Sequence, residues 1–196
     1  MRLIGWLGYD GDWFIRDWRL PLAKRQSLIS NLQSREGWKE SVAIQVLFVC
    51  LGNICRSPMA EAVFQRLVDE AGLGDQITVD SAGTGAWHVG EKAHMGTRRV
   101  LEGHGVVGYN GRSRQITTHD MQTTDYIIAM DAQNLHDIRT RFGNHPHLSR
   151  LLDFASHAGE QDVPDPYYTG NFEYVYQLVS DGCRGLLETI RQQEKI

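Results

Sequence analysis

From Val42 onward the apolar residues fall in short clusters whose spacing changes along the chain. Ile44-Gln45-Val46-Leu47-Phe48-Val49 is short, apolar and β-branched, and Gly52 follows it. That is the pattern of a buried strand. Met59, Ala60, Ala62, Val63, Leu67 and Val68 then recur at helical spacing. Ser57-Pro58 opens this helix, with Ser as a cap and Pro in the first turn, and Gly72 and Gly74 end it. Gln76–Val79 predicts a second strand, and Glu91 to about Leu101 a second helix stopped by Gly103 and Gly105. A third strand is predicted over Asp125–Met130 and a third helix over Ala132–Arg141, ended by Gly143. Leu148–Phe154 predicts a fourth strand, Gly159–Pro166 a polar loop, and Asn171 to about Gln193 a long last helix. Strands alternating with helices predict an α/β fold of three layers, with a central four-stranded parallel sheet. In such a doubly wound sheet, active groups gather at the strand C-termini beside a topological switch point.

Composition narrows the class without naming a function. The chain has 196 residues, 41% hydrophobic and 22% charged, which excludes a largely disordered protein, a collagen-like fibre and a disulfide scaffold. No apolar run approaches the roughly 18 residues of a membrane helix. Asp10 and Asp12 arrive too early for a good signal peptide. A net charge of −4 gives no global attraction to nucleic acid or acidic membranes, so neither partner is expected. Three cysteines, Cys50, Cys55 and Cys183, are too few and too odd for a secreted framework and fit a reducing, cytoplasmic location. Residues 1–40 hold seven basic and five acidic residues against thirteen and nineteen in the remainder, and four of the five tryptophans (Trp6, Trp13, Trp18, Trp38). The boundary is therefore placed near Ser41, giving an N-terminal extension over 1–41 and the main domain over 42–196. The Trp-rich extension leaves three readings open: docking on the domain or on a partner, flexibility, or an upstream start that is not the natural one.

The candidate chemistry lies in Cys50-Leu51-Gly52-Asn53-Ile54-Cys55-Arg56-Ser57. Cys50 follows the first strand and Ser57 begins the first helix. A strand-loop-helix junction turns backbone N–H groups into a concavity, and the helix terminus adds partial positive charge. A tetrahedral oxyanion fits there. Arg56 adds a planar, bidentate donor fork. The same field favours the Cys50 thiolate, and Ser57 is placed to bond the sulfur. Gly52 allows the tight turn, and Asn53 tolerates left-handed dihedrals while holding the loop with its side chain. The residues thus read as a cysteine nucleophile attacking phosphorus. His136, His145, His147 and His157 match no zinc spacing, and the chemistry needs no metal or cofactor.

Val46 to Ala62, with Asp80-Ser81-Ala82-Gly83-Thr84, Arg114-Gln115-Ile116, Met130-Asp131 and Asp165-Pro166-Tyr167-Tyr168, resembles the low-molecular-weight protein-tyrosine phosphatases from about Val42 to the C-terminus. The resemblance implies a flavodoxin-like doubly wound topology and hydrolysis of phosphotyrosine and small aryl phosphates through a phosphocysteine intermediate. It implies that Asp165, a turn residue between Pro164 and Pro166 on spacing alone, is the general acid. It makes Trp87, Tyr167 and Tyr168 walls of an aromatic slot with Leu51 beneath. It implies that Ser81 braces Asn53, and that Cys55 can form a reversible disulfide with Cys50. Many relatives carry a His just before the Arg-Gln-Ile segment; here the stretch is Tyr109-Asn110-Gly111-Arg112-Ser113, with no His. The implied partners are a tyrosine-phosphorylated protein and inorganic phosphate as product or inhibitor. Arsenate reduction with an external thiol is the alternative on the same fold. No Cys lies between Cys55 and Cys183, so an internal thiol relay is unsupported.

Overall fold

The computed structural model describes residues 4–6, 13–15, 43–157 and 159–196, and the chain divides into two compact units, 1–42 and 43–196. In the first unit, β1 (Ile4–Trp6) pairs antiparallel with β2 (Trp13–Ile15), with Trp6 opposite Trp13 in register. Trp18 and Trp38 lie outside the described residues.

The second unit is a sheet of four parallel strands in the order β4-β3-β5-β6, with β3 at Ile44–Cys50, β4 at Ile77–Gly83, β5 at Tyr126–Ala129 and β6 at Leu148–Arg150. The chain crosses from β3 to β4 on one side and then returns past β3 to β5. The direction of winding therefore reverses at the end of β3, where Cys50 stands. Alternation along β3 sends Val46 and Phe48 to one face and Leu47 and Val49 to the other. The first face is covered by α1 (Arg56–Glu70), α2 (Met95–Gly103) and α6 (Phe172–Glu194). The second is covered by α3 (Thr118–Thr123) and α4 (Ala132–Phe142), through Met121, Ile138 and Phe142. The short helix α5 (Pro166–Thr169) precedes α6.

Several boundaries differ from the sequence reading. The fourth strand stops at Arg150, and Leu151–Phe154 form a 3-10 turn. Asp153 closes that turn by accepting from the Arg150 N–H (3.0 Å). Leu151 and Phe154 then meet α6 at two glycines: a Cβ at Gly185 would sit 1.9 Å from the Phe154 carbonyl oxygen. The second strand runs on through Asp80-Ser81-Ala82-Gly83, because those small residues pair with β3 as far as Cys50. The second helix begins at Met95 rather than Glu91, since the His94 N–H is taken by Ile54 O (2.7 Å) and its ring caps Gly96 N. Ser57 does not cap α1; that place falls to Cys55, and the Ser57 hydroxyl turns into the site. Helix α3 escaped the periodicity reading, although Thr117 and Asp120 form its capping box. Among the described residues no helix is long and apolar enough to cross a membrane.

Candidate active site

The loop after β3 is buried down to its polar side chains: Asn53 is 1% exposed, Arg56 3% and Ser57 0%. Its carbonyls are tied from outside. Leu51 O accepts from Gly85 N (2.9 Å), Gly52 O from the Ser113 hydroxyl (3.0 Å), Ile54 O from His94 N (2.7 Å) and Cys55 O from the Thr97 hydroxyl (3.3 Å). Among the described residues, the amides of Gly52, Ile54 and Cys55 have no acceptor within the chain. A loop with most of its acceptors satisfied and these donors free has the form of a nest that can take an anion, here continuous with the first turn of α1.

Cys50 Sγ lies 3.0 Å from Ser57 Oγ and accepts from the Asn53 backbone N–H at 3.3 Å. Asn53 adopts φ 55°, in the left-handed region, and its side chain makes three bonds. Its Oδ1 accepts from Arg114 N (2.8 Å), while Nδ2 donates to Ser57 Oγ (2.9 Å) and Ser81 Oγ (2.8 Å). These contacts over-determine a backbone conformation that would otherwise be strained.

Arg56 joins three elements. Its Nη1 donates to Asp131 Oδ2 (2.5 Å) and to Val163 O (3.0 Å), and its Nη2 to Asp165 Oδ2 (2.8 Å). Both carboxylates are also helix caps. Asp131 Oδ1 accepts from Asn134 N at the start of α4, and Asp165 Oδ1 from Tyr167 N at the start of α5. The buried Arg56 Nε has no partner among the described residues. Burial works against its charge, but Cys50, Asp165 and Asp131 together hold it further into the cationic state. Cys55 is buried in the same loop; burial first, and Asp165 next, push its thiol up to about 12. It is a neutral thiol at ordinary pH.

Cys50, Arg56 and Asp165 open into one cleft of about 270 Å³, walled by Leu51, Trp87, Tyr167 and Tyr168. Trp87 is 73% exposed, so it is not a core residue. Its indole lies over Gly85, where a Cβ would come within 1.9 Å of the ring. Tyr167 and Tyr168 meet edge to face at 5.4 Å. Behind Tyr167, the His94 ring stacks on Phe172 at 5.0 Å.

Four residues around the site were not singled out from the sequence: Asp131, Glu61, Tyr109 and Ser113. Glu61 had a readable signal, because it stands four residues after Ser57 on α1 and so shares its face. It accepts from the Ser81 hydroxyl (2.6 Å) and from the Tyr109 hydroxyl (2.7 Å). Burial raises its pKa, against the pull of those two bonds. The stretch without the relatives' His thus reaches the loop support by a phenol instead. Ser81, bonded to both Asn53 and Glu61, is the middle of that chain.

Residues 45–196 match the family model described as low molecular weight phosphotyrosine protein phosphatase. The low molecular weight protein-tyrosine-phosphatase YfkJ of Bacillus subtilis is 49% identical over 155 residues, covering 78% of this chain and 99% of that protein. Its crystal structure superposes with a TM-score of 0.74, over 77% of this chain and 96% of that one. The phosphatase PtpA of Staphylococcus epidermidis is 46% identical over 75% of this chain and 94% of its own length. A Drosophila protein described as an arginine phosphatase is 32% identical with a TM-score of 0.69, over 76% of this chain and 98% of that one.

Proposed function

Because the chain belongs to the low molecular weight phosphotyrosine protein phosphatase family, a family of hydrolases, we propose that it hydrolyses phosphotyrosine in proteins, and small aryl phosphates, through a phosphocysteine at Cys50. The convergence of Cys50, Arg56 and Asp165 in one aromatic-walled cleft carries this reading. The substrate phosphate would sit in the nest, its oxygens accepting from the loop amides and from Arg56 Nε. The Cys50 thiolate attacks phosphorus as the bond to the phenolic oxygen breaks. Asp165 protonates that oxygen. The incoming anion competes with Asp165 for Arg56. Asp165 then takes a proton from water, which attacks the phosphocysteine and releases inorganic phosphate. The Ser57 hydroxyl stabilises the departing thiolate.

Trp87, Tyr167 and Tyr168 stand as exposed walls above a buried floor. A phosphate on a tyrosine ring spans such a slot, whereas one on a serine stays close to its own backbone. The partners in this reading are tyrosine-phosphorylated proteins, with inorganic phosphate as product and competitor. Cys55 serves as the reversible disulfide partner that shields Cys50 from over-oxidation. Three buried free thiols suit a reducing compartment such as the cytoplasm. Cys183 is fully buried on α6, its thiol facing the Ala60 carbonyl, and offers an arsenate reductase cycle no resolving group.

The test is phosphate release from peptides bearing phosphotyrosine, phosphoserine or phosphoarginine, with a chelator and a reductant present. Release from phosphotyrosine alone is the expected outcome. Preference for phosphoarginine would overturn the substrate assignment. Failure with all three, together with thiol-dependent arsenate reduction, would overturn the reaction.

A further inference from the structure

We propose that Tyr109 is a positioning residue for the catalytic loop, acting through Glu61, Ser81 and Asn53 to set the direction of the Ser57 hydroxyl bond to Cys50. The inference rests on the phosphocysteine reading above and extends it to a residue about 60 positions away in the chain that touches no substrate.

Counting donors and acceptors fixes the protons of Asn53 and Ser81 and leaves the Ser57 hydrogen two acceptors. Asn53 Oδ1 must face Arg114 N, because a backbone N–H can only donate. Both Nδ2 hydrogens are then spent, one on Ser81 Oγ and one on Ser57 Oγ. Ser81 therefore accepts from Asn53 and must send its own hydrogen to Glu61 Oε2 (2.6 Å). Ser57 likewise accepts from Asn53, so its hydrogen points to the Cys50 sulfur at 3.0 Å or to the more distant Ala82 O at 3.3 Å. The carboxylate is the acceptor that polarises the series, and donation from the Tyr109 hydroxyl (2.7 Å) to the same oxygen holds it against Ser81. Burial, and then the charge of Glu61, raise the Tyr109 pKa, so the phenol remains a donor.

The local sequence is arranged around this ring. Gly108 has φ +81°, which turns the chain before Tyr109. A Cβ at Gly111 would lie 2.3 Å from the Tyr109 hydroxyl oxygen and 2.6 Å from Cζ. Only glycine at 111 leaves the phenol where it meets Glu61. Two residues further on, Ser113 and Arg114 themselves bond the catalytic loop, at Gly52 O and Asn53 Oδ1. The segment 108–114 therefore supports the loop twice, directly and through Glu61.

Tyr109→Phe keeps the ring and removes only the donor. Gly111→Ala keeps the donor and displaces it. Three readouts on the full chain separate positioning from general loosening: thermal midpoint, pre-steady-state burst with p-nitrophenyl phosphate, and calorimetric affinity for inorganic phosphate. The Ser57 bond assists thiolate departure, so both variants should slow phosphocysteine breakdown more than its formation. We expect kcat to fall about tenfold with an enlarged burst, the scale of one hydrogen bond to a charged group. Phosphate affinity should fall by about threefold to tenfold while the midpoint of Tyr109→Phe stays within about 3 °C of the parent, as for a change under 1 kcal/mol. Parental kcat and phosphate affinity in Tyr109→Phe would overturn the proposal. So would equal slowing of both steps alongside a large loss of thermal midpoint. If the parent proves inactive on every phosphoester, the phosphatase reading fails, and the phosphate affinities of the two variants still decide the role of Tyr109.

Discussion

Cys50 and Arg56 are each 3% exposed, whereas Trp87, Tyr167 and Tyr168 are 73%, 55% and 78% exposed, although all five line one cleft. The floor is held by bonds from four directions: β4 through Ser81, the segment before α3 through Ser113 and Arg114, β5's end through Asp131, and the acid loop through Asp165. At the rim, Tyr167 and Tyr168 stand on the short helix α5 and meet edge to face, and Trp87 lies over Gly85. A buried floor confines reacting atoms to one geometry, because each polar group would otherwise be left unsatisfied. An exposed rim contributes apolar area and shape to whatever docks there. Changes in the floor should therefore appear in kcat, and changes in the rim in KM and selectivity.

The sharpest break would come at the nucleophile. Cys50→Ser is expected to lower kcat on the order of 10⁶-fold while phosphate still binds, because the nest and Arg56 remain. Calorimetry with inorganic phosphate and steady-state assays check both halves; measurable turnover above a thousandth of the parent would contradict the covalent route. Next is Asp165→Asn. Asparagine can still cap α5 through its one oxygen but gives up the bond to Arg56, so the dependence on the leaving group is what separates proton donation from loop structure. We expect a loss of about 10²–10⁴ in kcat for phenolic leaving groups of high pKa and a much smaller one for p-nitrophenol. A flat dependence on the leaving group would remove Asp165 from that role.

At the rim, Trp87→Ala should raise KM for phosphotyrosine peptides about tenfold and leave kcat nearly unchanged, the scale of one aromatic contact. Gains in kcat/KM for phosphoserine relative to phosphotyrosine would accompany it. A fall in kcat with unchanged KM would erase the contrast between floor and rim.

The smallest effect concerns stability beneath the floor. Burial alone would raise the Asp120 pKa, but Arg114 and Thr117 lower it overall. A carboxylate with a depressed folded pKa stabilises the fold above its unfolded pKa, and that contribution is lost as pH falls through the folded value. Asp120→Asn should therefore cost about 1–2 kcal/mol near neutral pH, by thermal or denaturant unfolding, and the gap should close below the ordinary carboxylate range. A gap independent of pH would assign the loss to geometry rather than charge.

The parallel sheet and the junction carrying Cys50 were legible in the sequence because both are local facts. An apolar β-branched run followed by a tight turn and a helix start has few other solutions, and oxyanion chemistry follows from the residue types at that junction. The break of the fourth predicted strand at Arg150 was not legible, since it depends on Gly182 and Gly185 arriving from α6 to receive Leu151 and Phe154. Trp87 could be placed after a strand, but its exposure follows from the packing of its ring on Gly85. Asp131 was present in a recognisable motif, yet its bond to Arg56 needs the ends of β3 and β5 side by side. Glu61 and Tyr109 are the clearest case. Helical spacing alone puts Glu61 beside Ser57, but nothing in the order of residues says that a phenol 48 positions later will close on it. The sequence by itself determined which polar and ionisable groups are available and on which kind of junction they sit. The tertiary structure decided which distant donors and acceptors complete them, because the direction of a buried hydrogen bond depends on every partner in its chain at once.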